Sequence, residues 1–325
     1  MDYVRLGDSN LRVSRLSLGA MSFGDPAWRP WTLDLTAARS VFNTAADAGI
    51  NLIDTCNFYS KGVSEEIVGA LLKEHDRNDW VVATKVGYHM RDAATAWGFS
   101  RKHLFEQVDA SLKRLQTDHI DLYQTHIWDP NTNLEEMVVA FDDIVRSGKV
   151  RYVGATDMPA RQFVKSVTMA KERGLAHFVS MQNHYNLIWR EDERELIPFC
   201  RENGIGLLPY SPHARGFLSG KARRQGDTES ERHRTDEFAH KWYGRSEDDV
   251  IANKVASIAA EIGATMSQVS LAWVLAQPGI HSPVIGATAA NHVSEAVDAL
   301  QISLGEEYIR ALDSLYVPRP ATSHI

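Results

Sequence analysis

Cysteine is nearly missing from this 325-residue chain: only Cys56 and Cys200 occur, too few for a disulfide framework and too far apart for a C-x-x-C redox or zinc element. A reducing compartment is expected. No apolar stretch approaches the roughly 18 uninterrupted residues of a membrane span. The opening Met1-Asp2-Tyr3-Val4-Arg5-Leu6-Gly7 lacks a basic segment followed by an apolar core. The expectation is a cytoplasmic protein with no membrane partner. Long basic clusters are lacking as well, and a formal net charge of -7 disfavours a nucleic-acid groove. Small molecules are the expected partners. A G-x-G-x-x-G fingerprint after an early strand is absent, which argues against a dinucleotide-binding Rossmann domain. No H-E-x-x-H or clustered ligand spacing suggests a metal, and neither internal repeats nor low-complexity tracts occur.

What is present is alternation. Apolar runs of strand length alternate with amphipathic segments of helix length, a pattern that predicts a parallel sheet with helical crossovers. After an opening hairpin (residues 3–6 and 11–15), strands are expected near 16–18, 51–54, 80–86, 121–126, 152–155, 178–182, 206–210 and 284–286. Helices are expected at 36–48, 64–75, 104–115, 134–147, 160–173 and 191–202, many of them ended by glycine. Eight such units close naturally into a (β/α)8 barrel, and 44% hydrophobic content suffices for its core, so residues 1–325 are read as one domain. Residues 217–249 mix both charges with little apolar periodicity and read as a long excursion, either a solvated loop or a lid. Residues 306–316 form an added helix, followed by Pro318 and Pro320.

Three apolar runs end in ionisable residues of different kinds. The run 50–53 closes on Asp54, 80–84 on Lys85, and 120–125 on His126. A strand buried on both faces cannot keep an unpaired ammonium, so Lys85 requires a partner. Tyr59, in the loop after the second of the barrel strands, can face the same mouth. Its phenol, with an ordinary pKa of about 10, would be drawn toward acid-base work by a nearby ammonium. Asp54 would hold that ammonium, and His126 would bond a substrate oxygen or pass a proton. Taken singly, Asp54 could instead be a cap or a structural ion pair, Tyr59 packing, and His126 a satisfied core histidine. The combination at successive strand ends favours chemistry.

These blocks, G-I-N-L-I-D-T-C-N-F-Y through Ser64-Glu65-Glu66, A-T-K and D-L-Y-Q-T-H, resemble the motifs of the aldo-keto reductases, and the likeness covers nearly the whole chain. The resemblance implies a catalytic tetrad of Asp54, Tyr59, Lys85 and His126, with Tyr59 as general acid in carbonyl reduction and a nicotinamide cofactor as hydride donor. The departure beside the histidine is Ile127, where many members have arginine. A cofactor cradle spread over the later strand ends is implied as well. Thr156, Asp157 and Gln182 would meet the nicotinamide amide, with Asp157 standing where asparagine is usual. Tyr210 would stack on the ring, and Ser211, Pro212, Arg215, Gly216 and Lys221 would follow toward the pyrophosphate. Gly286, Thr288, His292 and Glu295 would form the adenosine end. NADP(H) is favoured on family grounds, and NAD(H) stays open because the cations usual near residue 289 are missing. Trp28, Trp31, Tyr88, Trp97, Trp128, Trp242 and Tyr243 suggest a mouth for an apolar or aromatic carbonyl compound. The segments 2–15 and 181–191 resemble a subgroup of bacterial reductases related to fungal versiconal hemiacetal acetate reductases. Two rivals stay open: a redox-sensing regulatory subunit with little turnover, like the channel-associated members of the family, and a metal-dependent barrel hydrolase, which the lack of metal spacing disfavours.

Overall fold

The computed structural model describes residues 1–93, 95–220 and 234–319. Lys221 and the most charged part of the excursion lie outside the described residues.

Eight parallel strands form the barrel: β3 (Ser17–Gly19), β4 (Leu52–Asp54), β5 (Val81–Val86), β6 (Ile120–Thr125), β7 (Val150–Thr156), β8 (Phe178–Gln182), β9 (Gly206–Leu207) and β10 (Val284–Gly286), in the order β10-β3-β4-β5-β6-β7-β8-β9. The sheet curls until its edges meet, where Val284 N–H donates to Pro209 O at 2.8 Å and His281 N–H to Leu207 O at 3.0 Å. The antiparallel hairpin β1 (Tyr3–Arg5) and β2 (Arg12–Ser14) precedes them. Its Leu6 and Val13 pack with Leu52, Val81, Ala83, Leu122, Leu208 and Val284, so the hairpin plugs the floor of the barrel. A side chain at Gly7, whose φ is +59°, would run into Gly204 O, which explains why the plug can press so closely.

Side-chain alternation along the strands then sorts the residues. Val82 and Val86 of β5 join the cluster shared with the helices, whereas Val81 and Ala83 join the interior cluster. Continuing that period of two sends Lys85 inward, above the apolar layers, on the same level as Asp54, Gln124 and Gln182. The surrounding helices start where capping residues stop the strand-to-helix turns: Asp34 caps α1 (Leu35–Asp47), Ser100 caps α3 (Arg101–Leu115) and Asn133 caps α4 (Leu134–Arg146), with α2 (Val63–Leu72) and α5 (Ala160–Glu172) between and after them.

Three expectations need correction. The helix expected at 191–202 is a short 3-10 turn at Glu191–Glu193, and α6 starts only at Leu196 (Leu196–Glu202). Pro198 is tolerated solely in a first turn, which sets that start. The strand expected at 206–210 is regular only to Leu207, because Pro209 has no N–H for a ladder, although Tyr210 still bridges Val284 and His184. The excursion at 217–249 contains helix α7 (Glu237–Trp242) and the start of α8 (Ser246–Ile262). These are fixed from outside: Arg319, near the end of the described chain, pairs with Asp248 and donates to Trp242 O and Ile188 O. Helix α9 (Met266–Ala276) leads to β10, α10 (Ala290–Asp298) follows it, and α11 (Glu306–Asp313) is the added helix.

Candidate active site

At the carboxyl end of the barrel, Lys85 is 0% exposed and Asp54 3%. Lys85 Nζ donates to Asp54 Oδ2 at 2.5 Å, to Thr55 O at 3.0 Å and to Tyr59 Oη at 3.3 Å. Burial alone would disfavour the ammonium, yet Asp54, with Tyr59 and Cys56, carries its pKa above the ordinary lysine value and keeps it charged. Asp54 Oδ1 is satisfied in turn by Gln124 Nε2 at 3.1 Å and Gln182 Nε2 at 2.8 Å. A buried ion pair is tolerated when its remaining lone pairs are bonded in this way.

The phenol behaves differently from the sequence expectation. Burial raises the Tyr59 pKa above its ordinary value; Lys85 pulls it down, and Asp54 offsets part of that pull. The net direction is upward, so Tyr59 holds its proton throughout the neutral range. Lys85 opposes that rise without reversing it.

His126 stands edge-on to Tyr59, with ring centroids 5.6 Å apart. Burial, reinforced by Lys85, holds it well below the ordinary histidine range and therefore neutral. Its Nδ1 lies 2.9 Å from Cys56 Sγ, which itself accepts the Phe58 N–H at 3.2 Å. Burial pushes the Cys56 thiol up to about 12, so its S–H persists, with His126 Nδ1 the nearest of its acceptors and Asn57 Oδ1 and Lys85 O farther off at 3.5 and 3.9 Å. When the thiol donates to Nδ1, the neutral imidazole carries its proton on Nε2.

One cavity of about 620 Å³ opens above this cluster. Its lining includes Asp54, Tyr59 and His126, together with Thr156, Asp157, Gln182, Tyr210, Ser211, Pro212, Arg215, Gly216, Gly286, Thr288, His292 and Glu295. The structure thus brings every expected site residue to one place, apart from Lys85, which is buried beneath it, and Lys221. Tyr210 Oη donates to Asp157 Oδ2 at 2.9 Å, and its ring is stacked on His184 at 5.1 Å. Asp157 sits at φ 47°, a left-handed conformation that aspartate, like asparagine, enters more readily than most residues. Arg215 pairs with Asp236 at 2.6 Å and lies over the rings of Phe238 and Trp242. At the far end, Thr288 N–H donates to His292 Nδ1 at 3.3 Å, and Glu295 accepts from Thr265 at 2.7 Å.

Of the expected mouth aromatics, Trp28, Tyr88, Trp128 and Trp242 line the cavity. Trp97 instead stacks on His89, Tyr243 is buried against His184, and Trp31 is buried beside Arg29. Sequence reasoning passed over Gln124 and Arg29. Gln124 was within reach of strand parity, since it lies two residues before His126; Arg29 had no local signal.

The Aldo/keto reductase family pattern matches residues 15–317. The chain is 38% identical to a versiconal hemiacetal acetate reductase of Aspergillus parasiticus, covering 98% of both chains. It is 38% identical to an aldo-keto reductase of Metarhizium robertsii, covering all of this chain and 93% of that one. A protein of Schizosaccharomyces pombe provisionally named an aryl-alcohol dehydrogenase is 36% identical, over 99% and 98%. With a matching pattern over most of its length, a parallel eight-stranded barrel and relatives that align end to end, this chain belongs to the aldo/keto reductase family.

Proposed function

We propose that the protein is an NADP(H)-dependent carbonyl reductase in which Tyr59 is the general acid and the substrate is a bulky or aromatic aldehyde or ketone. The observation that carries this reading is the contact of Lys85 Nζ with both Asp54 and Tyr59 at the base of the cavity. A nicotinamide dinucleotide fits the residues present. Thr156 Oγ1 is buried at the cavity floor without a hydrogen-bond partner, and Gln182 and Asp157 line the same floor, a donor and acceptor set suited to a carboxamide. When bound, the dinucleotide supplies hydride.

This chain's own residues handle the rest. His126 Nε2–H binds the carbonyl oxygen, polarising it while the imidazole stays neutral. Tyr59 then gives its proton to that oxygen as the carbonyl carbon takes hydride, and Lys85 stabilises the phenolate left behind. Asp54, Gln124 and Gln182 keep the ammonium from wandering. Tyr210, braced by His184 and Asp157, would offer a nicotinamide ring one flat face to lie against. NADP(H) rather than NAD(H) is the finer part of the reading, with Thr288 and His292 as the 2'-phosphate ligands.

Steady oxidation of NADPH with an aryl aldehyde tests the reading, with NADH run beside it. Tyr59→Phe is expected to lower turnover by about 10²- to 10⁴-fold, the contribution of a positioned acid, while fluorescence titration gives an unchanged NADPH affinity. Tight cofactor binding without turnover across a broad carbonyl panel would instead support the regulatory subunit.

A further inference from the structure

Arg29 lines the cavity with no hydrogen bond or ion pair from its guanidinium among the described residues. Two tryptophans carry it: its guanidinium carbon lies 4.4 Å from the Trp28 ring centroid and 5.4 Å from that of Trp31. Burial lowers its pKa, Asp236 offsets part of that, and Arg215 adds to it. The neighbouring charges are otherwise engaged. Asp236 is held by Arg215, Asp54 by Lys85, and Asp157 by the Tyr210 hydroxyl. The cavity therefore carries a partly desolvated cation that no acidic group among the described residues pairs with directly.

Its position relative to the chemistry is fixed. The Arg29 carbonyl accepts both the N–H and the hydroxyl of Thr32, at 3.0 and 2.9 Å, and Asp25 N–H donates to the hydroxyl of Ser60, the residue after Tyr59, at 2.8 Å. Gly24 allows that approach, since a Cβ there would meet Ser60 Oγ at 2.7 Å. Between the two ends runs a continuous aromatic wall. Trp28 meets Phe58 edge-on at 6.3 Å, Phe58 stacks on Tyr88 at 4.4 Å, and Tyr88 meets His126 edge-on at 4.7 Å. This wall thus has the His126 ring and the Tyr59 phenol at one end and a planar cation at the other.

We infer that Arg29 anchors an anionic group, a carboxylate in the simplest case, on the far side of an aryl carbonyl substrate whose reacting carbonyl sits at Tyr59 and His126. The inference rests on the reductase reading for the position of the carbonyl. The guanidinium fork matches a carboxylate in two parallel bonds, and a ring lying along the aromatic wall would span from one end to the other. Arg29 is then a specificity-determining residue, selecting anionic aryl aldehydes over neutral ones of the same shape.

The test compares 4-formylbenzoate with methyl 4-formylbenzoate, in the wild-type protein and in Arg29→Met and Arg29→Lys. The ratio of kcat/KM for acid over ester is expected to fall roughly 10- to 100-fold in Arg29→Met, the range for a charged hydrogen bond, and to recover in part in Arg29→Lys. NADPH affinity, measured by fluorescence titration, is expected to hold, which also shows that the variants fold. An unchanged ratio, or a loss of NADPH affinity in its place, overturns the inference and assigns the cation to the cofactor. Terephthalate, which cannot be reduced, separates this from the reductase reading: if no aldehyde turns over but terephthalate binds the wild type and not Arg29→Met, the anion site stands and the reductase reading fails. Equal terephthalate binding by both proteins sinks the anion site alone.

Discussion

The two ends of the cavity are built on different principles. At the proton-handling end, Asp54, Lys85 and Gln124 stand on strands, are almost wholly buried and bond to one another. At the opposite end, Thr288, His292 and Glu295 lie on a loop and the helix after it and are half-buried; Thr288 N–H donates to His292 within that segment, and Glu295 accepts from the Thr265 hydroxyl at the start of a neighbouring helix. The contrast follows from what each end must do. A phenol whose acidity depends on an ammonium 3.3 Å away cannot tolerate movement, so its supports are embedded where side chains have one packing solution. Under the proposed reading the other end admits and releases a large dinucleotide, which needs exposed backbone and side chains instead.

Mutations should expose this difference in size. Lys85→Met, at the rigid end, is expected to lower carbonyl reduction at least about 10³-fold and to cost about 3–5 kcal/mol of stability, because Asp54 is left as a buried charge without its counter-ion. Urea unfolding at neutral pH alongside steady-state kinetics reads both, and a variant of unchanged stability would mean that the pair is not energetically coupled. Cys56→Ala, one layer out, removes the hydrogen that the thiol gives to His126 Nδ1 and frees the imidazole to place its proton there. A fall in kcat of about 10-fold is expected, with partial recovery in Cys56→Ser, and histidine ¹⁵N shifts should show the loss of the Nε2–H form. At the open end, His292→Ala is expected to raise KM for NADPH only about 5-fold, as suits a half-exposed contact, and to leave KM for NADH unaltered.

The smallest expected effect is that of pH on the rigid end. Tyr59 is raised and His126 depressed, so neither changes protonation between roughly pH 6 and 9. Tyr59 remains the protonated donor there, and His126 remains neutral. kcat for reduction should therefore be flat across that range. An inflection near pH 6.5 would place a titrating histidine in the mechanism and undo the assignment of His126 as a neutral donor.

Much of the rigid end was legible in the sequence. Apolar runs ending in Asp54, Lys85 and His126 mark strands whose last residues face a common mouth, and an ammonium in such a run demands a partner wherever it folds. The strand-length alternation likewise pointed to the barrel, with edges displaced by a residue or two. What escaped reading involves residues that meet through closure. Proline at 198 and 209 moved two boundaries, and the helices within 217–249 depend on Arg319 reaching back to Asp248, 71 positions away. The acidity of Tyr59 also escaped, because a charge pair can be guessed from residue types whereas burial cannot.

The order of residues along the chain thus determined the periodicity, the strand ends and the ionisable groups that stand at them, since each of these is a local consequence of backbone geometry and side-chain chemistry. Only the folded barrel decided the partners: the thiol on His126, the two glutamines on Asp54, and the cation of Arg29 left facing the cavity. Those depend on distances between strands and loops remote in sequence, and such distances exist only once the sheet has closed on itself.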